Sequence, residues 1–227
     1  MELNSNLFTP YKQMRANSPL SCRTAVCFLA AVAVLGVLNL GCGDKPASEK
    51  ASKVGSHWGY VDKTGKAVIA AQFADAGAFA DGMAAVRIQG HWGYIDKTGK
   101  AVIVAQFADA REFANGMAAV KIQDNWGYID RTGTVTIPAQ FGEARSFADG
   151  VAAVKIQGNW GYIDKTGKAV IAAQFANARE FADGLAAVKI RESWGFIDRS
   201  GKLVISGQFL DVRNFVDKLA AVRIMAS

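Results

Sequence analysis

The sequence predicts a mainly β fold organised as a repeat array: five units of 34 residues, each with three short strands and a short helical turn. Three observations predict it. Trp58, Trp92, Trp126, Trp160 and Trp194 stand at a constant spacing of 34, and the words around them recur almost unchanged. Runs rich in Val, Ile, Tyr and Trp alternate with the two-residue period of half-buried strands. Glycines punctuate the copies, and no copy carries two long stretches of helical periodicity, so helical-hairpin repeats of the same period are excluded.

The copies run 57–90, 91–124, 125–158, 159–192 and 193–226. In the fourth, Trp160-Gly161-Tyr162-Ile163-Asp164 alternates as a first strand. Asp164-Lys165-Thr166-Gly167 reads as a turn, with Asp at its head and Gly in the left-handed conformation. Lys168 to Ile171 returns as a second strand, closing a hairpin. Phe175, Ala178 and Phe181 are spaced by three on residues that favour helices, which predicts a short helical turn capped by Gly184. Leu185 to Ile190 reads as a third strand. A unit this small cannot bury enough surface alone, so neighbouring copies must cover one another. Copy five departs from the others at Leu203, Leu210, Val212, Val216 and Lys218, as a terminal cap would. A distinct last copy favours an open twisted β-solenoid; a closed, five-bladed, propeller-like ring is the alternative.

The pattern W-G-[YF]-[IV]-D-x-x-G-x-x-[VI]-I, followed by F-x-x-A-x-x-F-x-x-G-x-A-x-V, resembles the WG (KWG) repeat family of bacterial proteins over 57–226. In copy five Val212 replaces the first Ala of the second half and Lys218 its Gly. The resemblance implies a β-rich repeat architecture and a binding or scaffold role. It implies no established chemistry.

The first 56 residues read as an address. Residues 25–38, AVCFLAAVAVLGVL, form an apolar core preceded by Arg15 and Arg23, as in a secretory signal peptide over 1–41. That core is shorter than the roughly 20 residues a spanning helix needs. Met14 would start a signal of ordinary length. Gly41-Cys42 resembles a bacterial lipobox, although Asn39 and Leu40 depart from its usual residues. The resemblance implies lipidation of Cys42, which would anchor the chain stably in a membrane. The chain is expected to be exported and anchored to the cell envelope; by the same resemblance Gly43 in place of Asp permits transfer to an outer membrane, so an outer-membrane or periplasm-facing position is favoured. Residues 42–56 are polar and small, a flexible linker reaching about 20 Å.

Charge and cysteine usage narrow the function. The net charge is +6, divided as +2 over residues 1–42, +1 over 43–56 and +3 over the rest. Acids and bases alternate in the repeats, so no basic stripe forms and no nucleic-acid partner is expected. The three cysteines, Cys22, Cys27 and Cys42, all precede the repeats, so the body has neither disulfides nor a cysteine metal site.

The five tryptophans are the candidate ligand-facing aromatics, since an exposed ladder of rings can stack on sugars; packing anchors are the competing reading. Asp62, Asp96, Asp130, Asp164 and Asp198, with Gly65, Gly99, Gly133, Gly167 and Gly201, are read as structural turn residues. Gln72, Gln106, Gln140, Gln174 and Gln208 are assigned to backbone bonding at a strand-to-helix junction. His57 and His91 are read as solvated loop residues, too few for zinc. No metal, cofactor or catalytic residue is expected. An enzyme needs different residues converging on one spot, and an array of near-copies supplies the same residues everywhere. Residues peculiar to one copy are few: Thr136, Pro138, Arg191 and Glu192. The expected function is that of a non-catalytic envelope lipoprotein whose scaffold binds an envelope protein or glycan. A passive spacer is the alternative, and a hydrolase with a site specific to one repeat the least favoured.

Overall fold

The computed structural model describes residues 56–224. The signal segment 1–41, Met14, Cys42 and all but the last residue of the linker lie outside them. Among the described residues there are strands and no helix. The first two strands, β1 (Trp58–Val61) and β2 (Ala67–Phe73), form a two-stranded sheet. Four four-stranded antiparallel sheets follow. The first holds β3 (Asp75–Ala80), β4 (Met83–Ile88), β5 (His91–Asp96) and β6 (Ala101–Phe107). The second holds β7 (Asp109–Ala110), β8 (Met117–Ile122), β9 (Asn125–Asp130) and β10 (Val135–Phe141). The third holds β11 (Glu143–Ala144), β12 (Val151–Ile156), β13 (Asn159–Asp164) and β14 (Ala169–Phe175). The fourth holds β15 (Asn177–Ala182), β16 (Leu185–Ile190), β17 (Ser193–Ile197) and β18 (Leu203–Phe209). A second two-stranded sheet, β19 (Asp211–Val212) with β20 (Val222–Arg223), ends the series.

Sheets and sequence repeats are therefore out of phase. Each complete sheet takes two strands from one copy and two from the next, joined by hairpins such as β12–β13, which pairs without interruption from Val151↔Asp164 to Ile156↔Asn159. Backbone hydrogen bonds thus tie every copy to its neighbour.

The WG word has a steric cause. Between Trp160↔Phe175 and Tyr162↔Ile171, β14 carries two more residues than β13 and arches over Gly161. A Cβ on Gly161 would stand 2.7 Å from Ala173 N and Ile171 O, closer than real Cβ contacts allow. The bulge aims Ile171 and Phe175 into the core, where both are buried.

The predicted helical turn is not there. Residues 177–182 are a strand, paired as Ala178↔Val188 and Phe181↔Ala186, three residues opposite two. That bulge puts residues three apart on one face, so it copies the spacing of a helical turn. Gly184 is no helix cap: with Asp183 (φ 51°) and Gly184 (φ 78°) it forms the tight hairpin turn that Asp-Gly favours. Asp81-Gly82, Asn115-Gly116 and Asp149-Gly150 do the same.

The core lies between successive sheets. Ile163 and Val154 of one sheet join Tyr128, Ile137 and Phe141 of the preceding sheet in one buried cluster. Ile197 joins Tyr162, Ile171, Phe175 and Val188 in the next. The turn glycines complete the docking: a Cβ on Gly167 would lie 3.2 Å from Ile137 Cγ2, and one on Gly201 3.1 Å from Ile171 Cγ2. In copies two to five each hairpin tip is seated on the isoleucine one copy back.

Candidate functional site

Two contacts recur along the array and define its regular surface. In copies two to four the tyrosine of the WG word donates its hydroxyl to a backbone carbonyl in or next to the following sheet: Tyr94 to Arg111, Tyr128 to Arg145 and Tyr162 to Arg179, each at 2.8 Å. Burial pushes these three phenols well above their ordinary pKa, so they remain neutral donors. The arginine at the same position lays its guanidinium over the tryptophan of the next copy. Arg111 lies 5.1 Å from the Trp126 centroid, Arg145 5.0 Å from Trp160 and Arg179 5.1 Å from Trp194.

The tryptophans are accordingly not a displayed ladder. Trp126, Trp160 and Trp194 are buried, Trp92 is half-buried and Trp58 is 56% exposed. The reason is the next strand: each ring of β9, β13 and β17 is enclosed by its own sheet and by the arginine above it. This removes three of the five candidate rings from any ligand.

Trp92 differs because copy one breaks the pattern. Where the later copies carry Arg111, Arg145, Arg179 and Arg213, copy one carries Gly77. The backbone does not require glycine there: φ is not positive, and a Cβ would meet only ordinary contacts, the nearest 3.7 Å from Ala85 O. The missing guanidinium leaves a cleft of about 300 Å³ beside Trp92, lined also by Gly77, Ala85, Arg111, Glu112 and Ser146. An aromatic wall, a carboxylate, a hydroxyl and a guanidinium on one cleft of this size suit a small polar ring. None of Gly77, Arg111, Glu112 and Ser146 was singled out from sequence. The signal was present in the column of copies, where one Gly interrupts four Arg.

The other candidates fall as follows. Asp164 heads its turn: its Oδ1 accepts from Thr166 N at 2.9 Å, Thr166 Oγ1 at 2.6 Å and Lys168 N at 3.0 Å, while its carbonyl accepts from Gly167 N. Asp62, Asp96 and Asp130 repeat this with Thr64, Thr98 and Thr132, and Asp198 with Ser200. The glycines after them, Gly65, Gly99, Gly133, Gly167 and Gly201, all have φ between 83° and 87°. The five Gln residues are not at a helix junction; they sit exposed on the last strand of each hairpin. His91 opens β5 opposite Ile88, so it belongs to a strand and not to a loop. His57 is exposed just before β1. Thr136 and Pro138 lie on the exposed side of β10, and Glu192 pairs with Lys189 at 3.5 Å. Among the described residues no group of three or more His, Cys, Asp or Glu could hold a metal ion. Cys42 lies outside the described residues.

No curated protein matches the chain by sequence. Among solved structures it is similar to a eukaryotic initiation factor, at 11% identity and a TM-score of 0.46, over 66% of this chain and 49% of that one. It is similar to the tricorn protease at 16% identity and a TM-score of 0.42, over 60% of this chain and 17% of that one. A protein of unknown function from Bacteroides caccae matches at 16% identity and a TM-score of 0.35, over 66% and 74%. The chain thus spans about half of the first and less than a fifth of the second. The model of the WG containing repeat matches five times, at 58–90, 92–126, 126–160, 160–192 and 194–224. With that motif covering the whole described body, and its Trp, Gly and Tyr in the contacts above, the chain belongs to the WG containing repeat family.

Proposed function

We propose that this chain is a non-catalytic, lipid-anchored protein of the bacterial cell envelope, and that its repeat array is an open scaffold which binds a glycan in the Trp92 cleft. The observation that carries the binding reading is the Gly77 interruption, which uncovers one tryptophan in an otherwise closed series. Ring faces stack on the apolar face of a sugar, and Glu112 and Ser146 are placed to meet its hydroxyls. The opposite charges of Arg111 and Glu112 favour a neutral sugar. Support for an open array comes from the two-stranded sheets at its ends, which do not pair with each other. Support for the anchor is the order of charge, apolar core and Gly41-Cys42 in the sequence.

The test is glycan-array screening of the full chain, followed by calorimetry on any hit, with Gly77→Arg as the control. A side chain fits at 77, so this variant should fold and lay a guanidinium over Trp92. Binding is expected for the parent and lost, by at least about tenfold, in the variant. Equal binding by both would move the site elsewhere. No binding by either would leave the passive spacer. Palmitate labelling that survives Cys42→Ser would overturn the anchor.

A further inference from the structure

We propose that the two ends of the array are complementary halves of one sheet, and that β20 of one chain pairs with β1 of a second copy, so that copies join head to tail. This rests on the open-array reading. Every internal sheet consists of two strands equivalent to β19–β20 followed by two equivalent to β1–β2. Among the described residues the array opens with the second half and closes with the first, and within one chain the two halves belong to separate sheets.

The register of the joint can be read from the internal ones. Leu219–Ile224 is equivalent to Met83–Ile88, and His57–Asp62 to His91–Asp96. In the internal joint Met83 faces Asp96, Ala84 Ile95, Ala85 Tyr94, Val86 Gly93 and Arg87 Trp92. Transposed, Leu219 faces Asp62, Val222 faces Gly59 and Arg223 faces Trp58.

Both edges carry the apolar exposure that such a joint would remove. Val86, Val120, Val154 and Val188 are 0% exposed, whereas the equivalent Val222 is 43% exposed. Ile95, Ile129, Ile163 and Ile197 are fully buried against the preceding sheet, whereas the equivalent Val61 is 67% exposed. Leu219 is exposed as well. Edges of this kind template the addition of a strand unless charge or proline blocks them, and the one charge on β20, Arg223, does not block it, since its equivalents Arg87, Lys121, Lys155 and Lys189 are all paired within internal joints.

A second, independent complementarity points to the same partner. Arg111, Arg145 and Arg179 each cover the tryptophan of the next copy. Arg213 occupies the same position in copy five and Trp58 the ring position in copy one, and among the described residues neither makes this cation–π contact. Arg213 lines a cleft of about 180 Å³ with Asp211, Val212, Ala221, Val222 and Arg223, at the place where an incoming Trp58 ring would lie. A second copy fits both the strand register and this cation–π contact. The interface is heterologous, so it extends into a filament or closes a ring of chains.

The test is sedimentation velocity of the full chain in detergent over a wide range of concentrations, with one blocked variant for each end. Trp58→Glu blocks β1 and Val222→Glu blocks β20; both positions are already exposed, so folding should survive, as circular dichroism would verify. The parent is expected to form a concentration-dependent series of oligomers. Each variant alone should be monomeric, its self-association weakened by about 30-fold or more. An equal mixture should give heterodimers and stop there, because one competent end of each kind remains. Association that persists in both variants, or a mixture that stays monomeric, overturns the proposal. So does a parent that is monomeric throughout. In that case a disulfide in the double variant Trp58→Cys, Arg223→Cys separates the causes. Formed within one chain, it shows ring closure and the open array fails too; not formed, only the pairing fails.

Discussion

Asp164 and its four equivalents hold the hairpin tips by hydrogen bonds to groups within the turn. Thr64, Thr98, Thr132, Thr166 and Ser200 donate their hydroxyls to these carboxylates, and backbone N–H groups add to them, so each pKa lies below the ordinary aspartate value despite opposing desolvation. A depressed folded-state pKa means stability that is fully present above the unfolded value and lost as pH falls through the folded one. The melting temperature should therefore be insensitive to these groups near neutrality and drop as pH falls below about 3.9. Thr166→Val removes the first donor; Asp164 should then titrate closer to its ordinary value, which a carboxyl NMR titration would show. An Asp164 pKa unmoved by that change would refute the hydroxyl as the main cause. Residue chemistry of this kind is local, and Asp, Thr and Gly spaced across four positions carry it in the sequence itself. The fate of Trp160 is different: nothing within its own hairpin says that Arg145 will lie above it.

At the scale of the strand, two bulges do what regular pairing cannot. One arches over the WG glycine and turns Ile171 and Phe175 inward; the other puts Ala178 and Phe181 on one face. The tyrosine hydroxyl then fastens one sheet to the next, as Tyr128 does to the Arg145 carbonyl. Tyr128→Phe keeps the ring contact with Phe147 (centroids 4.8 Å apart) and leaves a carbonyl without its donor. A loss of about 1–3 kcal/mol in urea unfolding is expected, with the fold retained. A loss near zero would mean that water replaces the hydroxyl. Copy five has Phe196 at this position, so its last junction lacks the bond that the other copies make. The spacing of Phe175, Ala178 and Phe181 was legible, but its cause was not. A spacing of three arises from a helix or from a bulged strand, and only the partner strand decides between them.

In the whole molecule, sheets out of phase with repeats make each copy depend on its neighbours through hydrogen bonds as well as through the core. Stability should then be a sum of copies and junctions, and indifferent to where the period is cut. Deleting residues 109–142 removes one full period and rejoins equivalent positions, so a cooperative fold should remain, with the denaturant slope lowered by about a fifth. A deletion of about half a period should destroy the cooperative transition. If both deletions behave alike, the coupling across copies is wrong.

The period, the number of copies, the β character, the Asp-led turns and the family resemblance are all readable in the amino-acid order, because these depend on contacts within a few residues or on repetition. Tertiary structure decided the rest. It placed the sheet boundaries inside the repeats, replaced the helical turn by a bulged strand, and sent three of the tryptophans inward. It also turned Gly77 from a minor substitution into a cleft beside Trp92. The reason is physical: burial and strand pairing belong to neighbours. The arginine that covers a tryptophan comes from the preceding copy, so what Gly77 uncovers becomes visible only when β3 of copy one and β5 of copy two are joined in one sheet.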